Sequence, residues 1–261
     1  MQSVIGVQFV ATLGRKAAFS AVERARLLVH RAGFDVKRDD FKHNFVPALR
    51  QHDITDVLDI GANAGQFAVE LRRAGLRGRI LSVEPLQDAY QALVARSGGD
   101  PTWTTERAAV SDQPGVVTMN VAGNSTSSSV LPMTDRHATA APYSTYVATE
   151  DVEATTVDDL VARHSLEPQR TLLKIDVQGY EAAVFAGATK TLPLFGAVRT
   201  EMSLVPLYEG QALLPDLIAL LADAGFELWS VEPGFVEPAT RRLLQLDGTF
   251  FRPTEESVHG R

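Results

Sequence analysis

The sequence predicts an α/β fold built on a doubly wound, mostly parallel sheet with a helical N-terminal extension. Three observations carry this. Short β-branched apolar runs alternate with helical stretches from residue 56 onward; glycines follow the first strand and two of the helices; and the chain closes on a hairpin-like pair of strands. A length of 261 residues suits one large domain with an appendage.

Asp56 to Ile60 reads as a buried strand ending at Gly61. Gln66 to Ala74 carries Phe67, Val69 and Leu71 among polar residues, a helix stopped by Gly75. Arg79 to Glu84 is a second strand halted by Pro85, and a helix follows over about Ala89 to Arg96. Trp103 to Val110 is expected as a third strand and Val116 to Val121 as a fourth, after the turn Gln113-Pro114-Gly115. The Ser-, Thr-, Ala- and Pro-rich segment from Gly123 to Glu150 is expected to be a long loop. Regularity returns with a helix near Val157 to His164, strand Thr171 to Asp176 and a helix from Glu181 to Ala186. Strand Ala197 to Leu204, helix Ala212 to Ala224, strand Phe226 to Val231 and a last strand at Thr249 to Phe251 complete the domain. The expected organisation is a helical extension or lid over residues 1–50, the main domain over 51–253 and a polar tail over 254–261.

A formal net charge of −7 argues against nucleic acid as a partner, because phosphate binding needs clustered cations. Arg24, Arg26 and Arg31 have helical spacing and suit a solvated face. No cysteine is present, which removes disulfides, thiolate metal sites and a thiol nucleophile, and suits a reducing cytoplasm. Gln2, Gln8, Arg15 and Lys16 interrupt the apolar N-terminus, against a signal peptide, and no run reaches the ~20 apolar residues of a membrane span. The expected location is cytoplasmic, with a membrane-peripheral N-terminal helix as the alternative.

In an open parallel sheet, ligands sit beyond the carboxyl ends of the strands. Gly61 and Gly65 allow a tight turn and close backbone approach there, but their G-x-x-x-G spacing is not the dinucleotide pattern. Asp59 would repel a phosphate and suits a ligand with ammonium and sulfonium charges. Glu84 ends the second strand, where it can accept hydrogen bonds from two ribose hydroxyls. Together these point to S-adenosylmethionine, although an acid–glycine turn after a strand also occurs for purely structural reasons.

The run Val57-Leu58-Asp59-Ile60-Gly61-Ala62-Asn63-Ala64-Gly65-Gln66-Phe67 resembles the first motif of the FkbM family of methyltransferases. So do Val83-Glu84-Pro85, Ala109-Val110-Ser111-Asp112, Asn124 to Ser129 and Thr156-Val157-Asp158-Asp159-Leu160. The most specific match is Leu173-Lys174-Ile175-Asp176-Val177-Gln178-Gly179-Tyr180-Glu181, in which Tyr180 stands where the family commonly has a small residue. The resemblance spans about residues 50 to 252, including Glu201 and Asp247. It implies a Rossmann-like class I methyltransferase fold with a seven-stranded sheet, S-adenosylmethionine as cofactor, and O-methylation of sugar, glycolipid or polyketide hydroxyls. The implied cofactor residues are Asp59, Gly61, Ala62, Asn63, Gly65, Glu84, Pro85, Ala109, Ser111 and Asp176, with Ala109 and Ser111 near the adenine by position.

Methyl transfer to a neutral hydroxyl needs alignment and a destination for the hydroxyl proton. Asp176 is the first candidate for chemistry, with capping of the following helix as its structural alternative. Lys174 shares its strand face and could orient the acceptor or serve as an ion-pair partner. Glu201, charged within an apolar strand, is the second candidate base. His137 in the long loop and His164 at a helix end do not displace these acids. Asn124, Ser127, Ser128, Glu181 and Tyr208 are the candidate acceptor-binding residues, with Tyr143 and Tyr146 as further aromatics. Glu181 also suits the dipole of the helix it starts. No histidine pair has metal spacing, so no metal is expected.

The expected partner is a small-molecule acceptor, with a homodimer as an option. Two other readings stay open: an amine or carboxyl acceptor, and a binding module that keeps the cofactor without turnover. A nicotinamide-linked oxidoreductase is disfavoured by the glycine spacing.

Overall fold

A computed structural model describes residues 41–253. Most of the expected N-terminal extension, including Arg24, Arg26 and Arg31, and the 254–261 tail lie outside the described residues.

Among the described residues ten strands form two sheets. They are β1 (Asp56–Ile60), β2 (Ile80–Val83), β3 (Trp103–Glu106), β4 (Ala109–Val110), β5 (Gly115–Ala122), β6 (Tyr146–Thr155), β7 (Thr171–Ile175), β8 (Ala197–Ser203), β9 (Glu227–Pro233) and β10 (Gln245–Phe251). The helices are α1 (Val46–Gln51), α2 (Gln66–Ala74), α3 (Gln87–Ser97), α4 (Asp135–Ala140), α5 (Val157–His164), α6 (Glu181–Ala186) and α7 (Leu214–Asp223). A π-helical turn, Phe41–Phe45, leads into α1.

The large sheet runs β3-β2-β1-β7-β8-β10-β9, with seven strands as expected. β3, β2, β1, β7 and β8 pair in parallel, whereas β10 is antiparallel to both β8 and β9. β1 and β7 are buried at every position, because helices cover both faces of the sheet. On one face Leu58, Ile60, Leu81, Leu173 and Val198 pack against Val157, Phe185 and Leu217 from the helices. On the other, Val57, Ile80, Leu172 and Phe251 meet Phe45, Val46, Leu49 and Leu71. The chain winds outward from β1 to β3 and then returns to β7 on the other side of β1. That reversal opens a crevice beyond the carboxyl ends of β1 and β7.

Two expectations need correction. The strand expected over residues 103–110 breaks at Arg107 and Ala108: β3 belongs to the large sheet, and β4 starts a second one of order β4-β6-β5. The loop expected over 123–150 ends early, because Tyr146 to Glu150 are the first half of the ten-residue β6, which pairs antiparallel with β5. The loop also holds α4, capped by the Thr134 hydroxyl on the His137 N–H. None of the described helices is long and apolar enough to cross a membrane.

Candidate functional site

A polar row crosses the face of the large sheet that carries Val57 and Leu172. The register aligns Ser82, Asp59, Lys174, Arg199 and Thr249 on neighbouring strands β2, β1, β7, β8 and β10. Buried charges are stable only when paired, and these are. Asp59 has no exposed side-chain surface; its Oδ1 lies 3.1 Å from Lys174 Nζ, and Oδ2 accepts from the Ser82 hydroxyl at 3.3 Å. Lys174 Nζ also donates to the Gly61 carbonyl at 3.2 Å and faces Asp176 Oδ2 at 3.5 Å. Burial alone would weaken the lysine's hold on its proton, but the carboxylates of Asp59 and Asp176 outweigh it and raise its pKa. The guanidinium of Arg199 holds Glu232 with two bonds, 2.8 and 3.1 Å, and Asp247 at 3.2 Å. It lies 5.0 Å from the Phe45 ring centroid and 5.9 Å from that of Phe41.

Above this row, at the crevice, lies a cavity of about 430 Å³. Gly61, Ala62 and Asn63 form the turn after β1 on its lining. Gly61 has φ +72°, and a Cβ there would stand 1.8 Å from the backbone oxygen of Asp176. Only glycine lets the turn after β1 and the turn after β7 approach so closely. Gly65 opens α2 at φ +81° but lies off the cavity; a Cβ there would strike Leu93 and Trp103 at 2.9 Å. Its glycine therefore serves packing rather than ligand approach.

Glu84, directly after β2, lines the cavity and is 4% exposed. Its Oε2 accepts from Asn63 N–H at 2.8 Å and its Oε1 from Leu86 N–H at 3.0 Å. Each oxygen keeps a further acceptor site. Burial pushes its pKa up to about 7, against the lowering effect of those two N–H bonds. Asp176, directly after β7, lines the same cavity with its side chain 38% exposed. β2 and β7 flank β1, so strand spacing separates the two acids by roughly 10 Å across the sheet. A buried acceptor pair on one side and a partly exposed carboxylate on the other fit an adenosine-type ligand with a cationic sulfur chain.

The other sequence-predicted residues divide. Pro85, Ala109, Ser128 and Lys174 line the cavity with Gly61, Ala62, Asn63, Glu84 and Asp176. Asp59, Gly65, Ser111, Asn124, Ser127, Glu181, Glu201 and Tyr208 do not. Ser111 donates to Asp112 at 2.9 Å and meets the Tyr180 hydroxyl at 3.0 Å. Asn124 and Ser127 bond to each other within their own turn, at 3.0 and 3.1 Å. Their neighbours Ser125 and Thr126 face the cavity instead. Glu181 is buried, with its Oε1 accepting from Val177 and Gly179 N–H groups at 3.3 and 3.1 Å, so this residue stabilises the turn before α6 rather than touching a ligand. Burial raises its pKa to about 7.

Glu201 lies behind Gln178, accepting from Gln178 Nε2 at 2.9 Å and Gln245 Nε2 at 2.8 Å. Burial, then the nearby charges of Asp176 and Glu181, raise its pKa well above the usual range. Tyr208 is fully buried and donates to Gln178 Oε1 at 2.9 Å, which leaves no face for stacking on a sugar. Tyr143 is exposed, and Tyr146 donates to the Leu131 carbonyl at 2.7 Å. His137 is packed 5.1 Å from the Tyr208 ring, not exposed in a loop, and burial lowers its pKa. His164 meets Glu106 at 2.6 Å.

Sequence reasoning missed Phe41, Phe67, Gln178, Tyr180, Arg199 and Glu232 on the lining. Arg199 had a local signal, a charge inside an apolar strand; Phe41 and Glu232 had none. No group of three or more acidic or histidine side chains among the described residues is placed to hold a metal ion.

The family model described as "Methyltransferase FkbM domain" matches residues 59–228. No curated protein matches the chain. Among solved structures, the chain is similar to the methyltransferase FkbM from Methylobacillus flagellatus, with 15% identity and a TM-score of 0.52. That match covers 81% of this chain and 48% of the other, so the chain spans about half the length of that relative. Looser matches include precorrin-6y C5,15-methyltransferase from Geobacter metallireducens, at 12% identity and TM-score 0.42, over 83% of this chain and 90% of that one. Another is Aeropyrum pernix fibrillarin, solved with natively bound S-adenosyl-L-methionine, at 14% identity and TM-score 0.41, over 80% and 76%.

Proposed function

The chain belongs to the FkbM family of S-adenosylmethionine-dependent methyltransferases, and we propose that it methylates a hydroxyl oxygen of a sugar, glycolipid or polyketide-type natural product. The observation that carries this reading is the placement of Glu84 and Asp176 on one cavity, either side of the Gly61 to Asn63 turn. The cofactor, when bound, supplies an electrophilic methyl group on a sulfonium.

Glu84 would hold the ribose, since it lines the cavity and each of its oxygens keeps an acceptor site beyond its one backbone bond. Leu86, Ala109 and Val110 offer an apolar wall for a purine. Asp176 would stand beside the methyl, where it favours the cationic sulfur and can take the proton that the acceptor hydroxyl releases. Lys174 pairs with both Asp176 and Asp59, at 3.5 and 3.1 Å. Glu201 is set back from the cavity by Gln178, which favours Asp176 over it as the base. Phe41 and Phe67 would shield the acceptor side from water. The acceptor would be a small molecule, and the compartment the cytoplasm.

An amine acceptor is the second reading, favoured by the surplus of acids on the lining: Glu70, Glu84, Asp176, Glu232 and Asp247 against Lys174 and Arg199. Calorimetric titration with S-adenosylmethionine, comparing the wild type with Glu84→Ala, tests the cofactor site; equal binding by both would remove it. Intact-mass analysis of products from acceptors with blocked hydroxyls separates oxygen from nitrogen methylation.

A further inference from the structure

We propose that Gln178 is a positioning residue, whose side-chain amide fixes the Asp176 carboxylate in the cavity. An aspartate at a turn, 38% exposed, would otherwise sample several rotamers. Here each oxygen is held separately: Oδ1 accepts from Gln178 Nε2 at 2.8 Å, and Oδ2 faces Lys174 Nζ at 3.5 Å.

Gln178 is itself fixed from every side. Its second Nε2 hydrogen goes to Glu201 Oε2 at 2.9 Å, its Oε1 accepts from the Tyr208 hydroxyl at 2.9 Å, and its backbone oxygen accepts from the Ser129 hydroxyl at 2.7 Å. Gln245 holds Glu201 in turn. The residue also sits at φ +54°, in the left-handed region that side chains larger than glycine rarely adopt. Such strain persists where the surroundings over-determine it, and it clusters at functional sites. The amide orientation follows from its neighbours, since two carboxyl groups need the NH₂ side and the tyrosine hydroxyl needs an acceptor.

Glutamine is the residue that meets all three demands. A glutamate would set a third carboxyl against Asp176 and Glu201, an asparagine is one methylene short, and a lysine offers Tyr208 no acceptor. The neutral double donor also lets two carboxyl groups share one site without facing each other directly.

This inference rests on the reading that Asp176 faces the cationic sulfur of the cofactor. The test compares the affinities of the full chain for S-adenosylmethionine and for the neutral thioether S-adenosylhomocysteine, by calorimetry. Asp176→Asn should shift the ratio toward the thioether by about tenfold, and Gln178→Met in the same direction by about fivefold. The double variant should go no further than Asp176→Asn alone. If Gln178→Met melts below the assay temperature, Gln178→Asn takes its place with the same expected direction. A Gln178 variant that weakens both ligands equally, with the ratio unchanged, overturns the positioning role while the cofactor reading stands. A wild type that binds neither ligand, or an Asp176→Asn ratio equal to wild type, overturns the parent reading and this inference with it.

Discussion

The backbone oxygen of Asp176 stands 1.8 Å from the place a Cβ on Gly61 would occupy. The turn that carries Asp176 and the turn after β1, which we propose receives the cofactor, are therefore packed backbone against backbone. Gly61→Ala adds a positive-φ strain to this collision and must push the two turns apart. A loss of about 2–4 kcal/mol in unfolding free energy is expected, read by urea denaturation. Cofactor affinity should fall by more than tenfold in calorimetry. Unchanged stability and binding would show that the turns are free to separate.

Asp59, with no exposed side-chain surface, is paired with Lys174 at 3.1 Å. Lys174→Met leaves a carboxylate with no exposed surface facing only the Ser82 hydroxyl, at an expected cost of about 3–5 kcal/mol. Adding Asp59→Leu to that variant removes the orphaned charge and should recover more than half of the loss. A double-mutant cycle by chemical denaturation measures the coupling. Additive losses would mean that the pair is not an energetic unit.

The main sheet was legible in the sequence because β1 and β7 are buried on both faces, so each reads as a short apolar run despite Asp59 and Lys174. The second sheet was not. Tyr146 to Glu150 of β6 is mostly exposed and follows a Ser- and Pro-rich stretch, so its composition is that of a loop. Arg107 and Ala108 carry no Gly or Pro to announce that the chain leaves one sheet for another. In the site, Gly61, Glu84 and Asp176 could be named because each directly follows a parallel strand, β1 and β7 at the winding reversal and β2 beside them. Gln178 and Tyr208 meet only through the fold, being 30 residues apart in sequence. Glu232 lies on the edge strand β9 and meets the cavity where it bonds to Arg199 of β8, two strands away, a strand order that local pattern does not encode.

Several carboxyl groups of the folded protein hold protons more tightly than they do in the unfolded chain. Burial raises Glu84 and Glu181 to about 7, and raises Glu201 and Asp247 as well. The stability tied to their protonated forms is complete below the unfolded pKa near 4.5 and is lost as pH rises through the folded values. His52 and His137, lowered by burial, act in the opposite sense, but only below their unfolded value of 6.5. Above pH 6.5 the acids act unopposed by them, so the melting temperature should fall between pH 6.5 and 8.5. A series of thermal melts in matched-salt buffers checks this, and a flat or rising profile would refute it.

With the ribose on Glu84, as proposed, this carboxyl also links cofactor binding to pH. In the free protein its pKa is about 7, because burial disfavours the anion more than two backbone N–H groups favour it. Ribose hydroxyls that donate to it would stabilise the anion further and lower that value in the complex. Binding below pH 7 must then release a proton, so affinity should weaken as pH falls from 7 to 5.5 and level off above about 8. Glu84→Gln has no proton to release and should lose this dependence while binding more weakly at pH 8. Titration calorimetry at pH 6 in two buffers of different ionisation enthalpy counts the proton directly. Equal apparent enthalpies for the wild type would place the ribose elsewhere, whereas a difference that vanishes in Glu84→Gln assigns the released proton to this carboxyl.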